Sequence, residues 1–522
     1  MLRHGPFCLQ EPMTSSAEDI ERIFSASRGY NALFLAAGAL ENACEETPEN
    51  LTEEGTRMLL ACLADPRFEN RRTAYFFYER LARILTDTAL KLGPDHPVAQ
   101  LALHGISALC GEASGPRHMA ICTACRGLAP RKAALPPAGP CPDPGLRSLA
   151  EVLEEAGFPL NTTAHPAGRS LLFHHRSQTL VIKCARPGED PAGLSAEWHW
   201  MRALAPILPA GTHVPTPVGP ALMRMTGLPP EAASDTAMAF LTTPAYFTYP
   251  NEPTAPMETD QASEVLGTAA FLFGYLASRG ILHTAPVPLF HNRVQTDRRD
   301  DDGIYLWQKG GRLDRWLASC RFPNFGLSGL RDFEHMETAP ELSLSDTYRT
   351  MGDQVLSLLL VAGSHFRSRE GKAAPSPGRT DHRSLFSQDK LTDMLAAIAN
   401  GYHKGYTGRE QSHFSSRNFR VLAGRMTDEM GEDHHMEEIL RARDQQTMEE
   451  EAFRDFLMER GYTEEETQRV QKGAADMVLF TGPHLGRFNG KISCPELIEF
   501  TATLASITIT DGFLAKARNP SP

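Results

Sequence analysis

Asn324 and Asp332 stand eight positions apart in the string Arg321 to His335, with Phe325, Leu327 and Leu330 between them and Asp332-Phe333-Glu334 closing it. An amide oxygen and a carboxylate are both hard oxygen donors, the ligand type that a Mg²⁺ bridging phosphate groups takes. The short apolar run between them suits a tight hairpin. The same string also reads as a plain hairpin with a surface Asn, and spacing alone does not separate the two readings. What separates them is whether the rest of the chain supplies elements that would position such a pair.

Composition sets the outer bounds. A chain of 522 residues is longer than one typical domain, so two or three are expected. Apolar residues make up 41% and charged residues 22%, the ordinary balance of a water-soluble protein. The net charge of −12 argues against a nucleic-acid partner, which needs a basic face, and leaves room for a local basic pocket for phosphates. The sequence shows no charged stretch followed by an apolar core at its start, and no run of about 18 apolar residues. No membrane partner is therefore expected, and a cytoplasmic location is; export by a route without a cleaved signal stays open. Ten cysteines in this length do not make a disulfide framework. Cys122 and Cys125 form one CxxC with Cys110 and Cys141 nearby, but the spacing is loose and no His pair completes it. Reduced, partly buried thiols are expected there in preference to zinc.

Taken in order, residues 1–16 are expected to be disordered and 17–127 to be helical. Ile20, Ile23 and Phe24 recur at helical spacing, as do Phe76, Phe77, Leu81, Ile84 and Leu85. The succession resembles a small HEAT-like or armadillo-like stack, a layer that binds a partner or braces a neighbour. Tyr75 to Tyr78 is expected to be core, not a ligand box. Residues 128–146 carry Pro130, Pro136, Pro137, Pro140, Pro142 and Pro144 and read as a linker. The period then changes. Leu171–Phe173, Thr179–Ile182 and Ala237–Leu241 read as strands, with a helix over Leu194–Leu204. Further helices are expected at 261–279, 344–366, 388–403, 436–460 and 463–480, with a last one from Pro495 to Leu504.

Several of these positions resemble the protein-kinase pattern. Lys183 ends the strand Val181-Ile182-Lys183, where kinases carry a Lys that contacts phosphates and pairs with a Glu on the next helix; Glu197 is in place for that. An exposed end-of-strand charge is the plain alternative for Lys183, and a common early-helix Glu for Glu197. Arg169 lies where a glycine-rich loop would, in Ala167-Gly168-Arg169-Ser170, and its charge could substitute for backbone amides. The segment Tyr275 to His283 resembles the helix that runs into the His-Arg-Asp loop, but Thr284-Ala285-Pro286 follows and no catalytic Asp is apparent. Asp353 resembles the buried Asp that anchors that loop. Between His283 and Asn324 lies an insertion with Tyr305, Trp307, Lys309, Arg312 and Arg315, read either as a second anion site or as a solvated face. The loop Phe480 to Lys491, with Arg487 and Asn489, either closes over a ligand or merely connects. His434-His435 suggests no ligand set.

Arg169, Lys183, Glu197, the inserted segment, and Asn324 with Asp332 together resemble the SidJ-related pseudokinase family, over roughly residues 147–500. That resemblance implies an α+β chain: a bilobed kinase-like fold with an N-terminal helical domain and a helical C-terminal extension. Its N-lobe would span 147–243. Its C-lobe would span 244–435 with 284–323 inserted, and 436–522 would complete or cap it. It implies ATP and Mg²⁺ as cofactors, adenylylation of a glutamate on a protein substrate, and replacement of AMP by free glutamate. Lys183 and Arg169 would grip phosphates, with Lys183, Asp332 and Arg169 as the catalytic set and Glu197 beside the nucleotide. Asn324 and Asp332 would hold the metal. His283, Arg312 and Asn489 would line a second nucleotide pocket. A protein activator belongs to that picture, although Glu449-Glu450-Glu451 argues against a basic calmodulin-target helix near the C-terminus. An atypical Ser/Thr kinase and an inactive scaffold are the competing readings.

Overall fold

Apolar spacing is helical as far as residue 128 and turns to alternation between residues 164 and 242, and the architecture follows that change. The computed structural model describes residues 30–69, 74–112, 115–130, 132–135, 143–251, 257–288, 320–370, 388–430 and 495–518. It is a mixed α+β chain with one central mixed sheet. The described residues divide into two compact units, one holding those through Leu128 and those from Ile509, the other those from Ala129 to Thr508. The segments 1–16, 436–460 and 463–480 lie outside the described residues.

The first unit is helical: α1 (Tyr30–Glu46), α2 (Glu53–Ala64), α3 (Ala74–Leu92), α4 (Pro97–Glu112) and α5 (Gly115–Cys125). Thr52 starts α2 by accepting the Gly55 amide at 3.0 Å. Helix α3 packs against each of the other four, which its aromatic first turn explains. Tyr75, Phe76, Phe77 and Tyr78 are all buried, and Phe68 meets Phe77 edge-on at 5.5 Å. Cys110, Cys122 and Cys125 form no disulfide, and their thiols are fully buried instead of partly so.

In the second unit the sheet runs β1-β5-β6-β4-β3-β2: β1 (Gly145–Ser148), β2 (Ala164–Ala167), β3 (Ser170–His175), β4 (Gln178–Cys184), β5 (Thr216–Thr226) and β6 (Thr236–Thr242). Only β1 pairs parallel, with β5. Three of the six, β1, β2 and β5, had no strand signal in the sequence. Pro166 puts β2 on the edge, and Pro217, Gly219 and Pro220 mark a register shift in β5 between Val218 and Met223. Helix α6 (Leu149–Glu155) begins on a capping box between Ser148 and Glu151. Helix α7 (Ala192–Leu204) packs beside the sheet.

The helical part of this unit is built on α8 (Thr259–Ala277), α9 (Leu344–Glu370), α10 (Gln388–Thr407) and α11 (Ser416–Met430). Helices α8 and α10 approach backbone to backbone. A Cβ on Gly274 would stand 2.1 Å from the Tyr402 carbonyl oxygen, and one on Gly405 2.0 Å from that of Phe271. Short strands β7 (Ile281–His283) and β10 (Met336–Thr338) pair antiparallel, as do β8 (Phe325–Gly326) and β9 (Gly329–Leu330). The last helix, α12 (Pro495–Arg518), runs well past the expected end at Leu504; Tyr348 donates to its Ala502 carbonyl at 3.0 Å. Part of the proline-rich stretch belongs to this unit. The Ala134 amide donates to the Arg279 carbonyl at 2.8 Å, and the Lys132 carbonyl would lie 2.6 Å from a Cβ on Gly280, whose φ is +69°. Only glycine satisfies both the approach and the left-handed turn there.

Candidate functional site

Lys183 owes its position to the two-residue period of β4. Leu180, Ile182 and Cys184 point into one apolar core with Phe158, Leu171 and Met223, so Lys183 must point to the opposite face. The strand is interior, with Ser170 of β3 and Met238 of β6 flanking Lys183, and the residue is 6% exposed. It is not the exposed end-of-strand charge of the plain reading. Its Nζ donates to Glu197 Oε2 at 2.6 Å and to Asp332 Oδ1 at 3.0 Å. Glu197, in the second turn of α7, is 1% exposed.

The hairpin β8–β9 explains the eight-residue spacing. Phe325 faces Leu330 and Gly326 faces Gly329, so two residues make the turn and the ends meet. The Arg331 amide donates to the Asn324 carbonyl at 2.9 Å, placing Asn324 across from the residue before Asp332. Asn324 is buried, with its Nδ2 donating to the Ala285 carbonyl at 2.7 Å, and is not a surface residue. Asp332 adopts a left-handed conformation, φ 50° and ψ 56°, which non-glycine residues take at a cost.

His283 lies behind this hairpin and is fully buried. Its Nε2 donates to the Arg331 carbonyl at 2.8 Å, and its Nδ1 accepts the Ala285 amide at 3.2 Å. Gln354 donates to the His283 carbonyl at 3.1 Å and accepts from Tyr402 at 3.0 Å. His283 thus braces the backbone just before Asp332. Gln354, next to Asp353, ties this segment to α9. Arg312 and Asn489 lie outside the described residues.

Arg169 sits on the β2–β3 turn after Gly168, whose φ is +61°. Its Nη1 donates to both oxygens of Glu189 at 3.0 Å. Its Nη2 reaches Glu334, with 2.8 Å to Oε2. Glu334 also stands 3.5 Å from Lys183 Nζ. Two cations therefore face four carboxylates, Glu189, Glu197, Asp332 and Glu334. Burial works against the Lys183 ammonium, but Asp332, Glu197 and Glu334 outweigh it and hold it charged. Burial, with Glu334 and Asp332 close by, pushes Glu197 up to about 7 against the pull of Lys183. For Glu334 burial also opposes charge, and Lys183, Arg169 and His335 win, keeping its carboxyl below the usual range.

A divalent cation fits the donor chemistry of this corner. Carboxylate oxygens of Asp332 and Glu334 and a ring nitrogen of His335 lie within 4.8 Å of one another, and hard oxygens are what Mg²⁺ takes. Glu334 was visible in sequence only as the last residue of Asp-Phe-Glu. No local signal connects it to Arg169, 165 positions away. Arg331 carried no sequence signal either. Its guanidinium lies over Tyr246 at 4.4 Å, Tyr249 at 4.5 Å and Phe247 at 5.2 Å, and its buried Nη1 has no hydrogen-bond partner among the described residues. No protein-family model matches this chain, and no curated protein is significantly similar to it.

Proposed function

We propose that this chain is a SidJ-related pseudokinase, a bilobed kinase-like enzyme that uses ATP and Mg²⁺ to adenylylate a protein carboxylate. It then joins a free amino acid, glutamate by resemblance, to the activated carbonyl. The observation that carries the reading is the buried Lys183–Glu197 pair meeting Asp332, with Ala285 two residues after His283, where a phosphotransferase needs its base. In this account Lys183 and Arg169 hold phosphates, and Asp332 and Asn324 would supply the oxygens for Mg²⁺. Bound there, the metal neutralises phosphate charge.

A carboxylate is already a nucleophile at neutral pH and asks for alignment and positive charge, not for a base. Its oxygen bonds to the α-phosphorus, the α–β phosphoanhydride bond breaks, and pyrophosphate leaves with the electron pair. The amine of the amino acid then attacks the acyl carbon, AMP departs, and one proton goes to solvent. By resemblance, the second step belongs to the segment carrying Arg312 and to Asn489, with His283 as a brace. The helical first unit, as a HEAT-like layer, would engage the protein substrate or an activator. An inactive scaffold is the second reading, favoured by the pairing of both Lys183 and Arg169 with carboxylates.

Incubation of the full chain with Mg²⁺ and ATP labelled in parallel at the α or γ position tests the reading. Label should reach protein from the α position and not from the γ position. In Lys183→Ala protein that still melts cooperatively it should fall by about 10²–10³-fold, the usual loss when one group is removed from a preorganised charge site. Transfer of γ label alone means a kinase, and transfer of neither means the scaffold.

A further inference from the structure

Glu334, which closes the string Asp332-Phe333-Glu334, puts a carboxylate against the two cations Arg169 and Lys183. Its carboxylate is held by two cations and lies close against α7. Arg169 donates to both oxygens through Nη2, Lys183 Nζ stands 3.5 Å from Oε1, and Oε2 lies 3.2 Å from where a Cβ on Gly193 of α7 would be. The two side chains of the Arg169–Glu334 pair are 14% and 13% exposed, so salt screens the pair weakly. A guanidinium binds a carboxylate and a phosphate through the same fork of N–H donors.

We infer that Glu334 occupies the phosphate-gripping site in the resting chain, so that a nucleotide binds only by displacing it from Arg169 and Lys183. The inference rests on the proposed nucleotide role of those two cations and adds the regulation of their site. Two cations already answered by four carboxylates present no net positive charge to a triphosphate. Asp332 and Glu197 are needed where they are, the first on the hairpin beside Asn324 and the second fixing Lys183. Glu189 touches only the outer edge of Arg169, with its side chain 36% exposed. Glu334 is the one carboxylate of the four that touches both cations, and its release frees the inner fork of Arg169 together with one side of Lys183.

Titration calorimetry on the full chain tests this with two probes in Mg²⁺, a non-hydrolysable ATP analogue and inorganic tripolyphosphate. Glu334→Gln keeps the shape and removes the charge, and should bind both probes about tenfold more tightly than wild type, the scale set by a single charge-assisted hydrogen bond that no longer competes. Glu334→Asp keeps the charge but withdraws it by one methylene, and should fall between the two. Adding Lys183→Ala to Glu334→Gln should abolish the gain. Lys183-dependent binding of the analogue by wild type, with equal or weaker binding by folded Glu334→Gln, overturns the blocking role of Glu334 and leaves the nucleotide reading standing. Tightened tripolyphosphate binding with no analogue bound supports the blocking role and overturns the nucleotide reading. No binding of either probe by any folded variant overturns both.

Discussion

Lys183, Glu197, Asn324 and Asp332 were legible because each sits in a string whose neighbours fix its direction: an apolar strand, an amphipathic helix, a hairpin. Glu334 was not, since its meaning depends on Arg169 across the fold. The same distinction applies to Glu337 on β10. Burial first, and Glu341 beside it second, push its carboxyl up to about 7. The folded chain therefore binds that proton more tightly than the unfolded chain does, so stability falls as pH rises from about 4.5 to about 7 and is level above that. Glu197, raised for a related reason, moves stability the same way. Glu337→Gln should reduce the drop in melting temperature between pH 5 and pH 8. An unchanged drop would mean that Glu337 ionises normally in the fold.

At the scale of elements, regular alternation and regular helical spacing were readable, as β3, β4, β6 and α8 show. Elements whose residues break the local rule were not. Strand β5 carries Pro217, Gly219 and Pro220 and survives only because a bulge absorbs them. Helix α11 has a polar sequence and is held by packing against α10, with Phe419 and Phe414 closing on Phe500. The α8–α10 packing depends on glycines that lower helix propensity and were silent in the sequence. Gly405→Ala would put a Cβ 2.0 Å from the Phe271 carbonyl oxygen and must force the two backbones apart. It should cost about 1–3 kcal/mol or more, read as a lower denaturant midpoint. Gly267→Ala, whose Cβ would meet the Ala397 Cβ at an ordinary 3.4 Å, should be near neutral or mildly stabilising. Equal loss in both variants would mean that the close approach is not what limits this packing.

For the whole molecule, the resemblance implied the α+β class and the chain's length more than one unit, and no described helix is long and apolar enough to cross a membrane. Neither hinted that residues from Ile509 belong with the N-terminal helices, because that join brings together segments far apart in the chain, among them Ser107 and Asp511, 404 positions apart and 3.2 Å from each other. As proposed above, the molecule activates a carboxylate with ATP instead of phosphorylating a hydroxyl. Intact-mass spectrometry tests this most directly, applied to the full chain and to candidate protein substrates after incubation with ATP, Mg²⁺ and pooled amino acids. Carboxylate activation predicts mass gains equal to AMP or to an amino-acid residue, absent when Lys183 is alanine. Gains of one phosphate, with none matching AMP or an amino-acid residue, would contradict it.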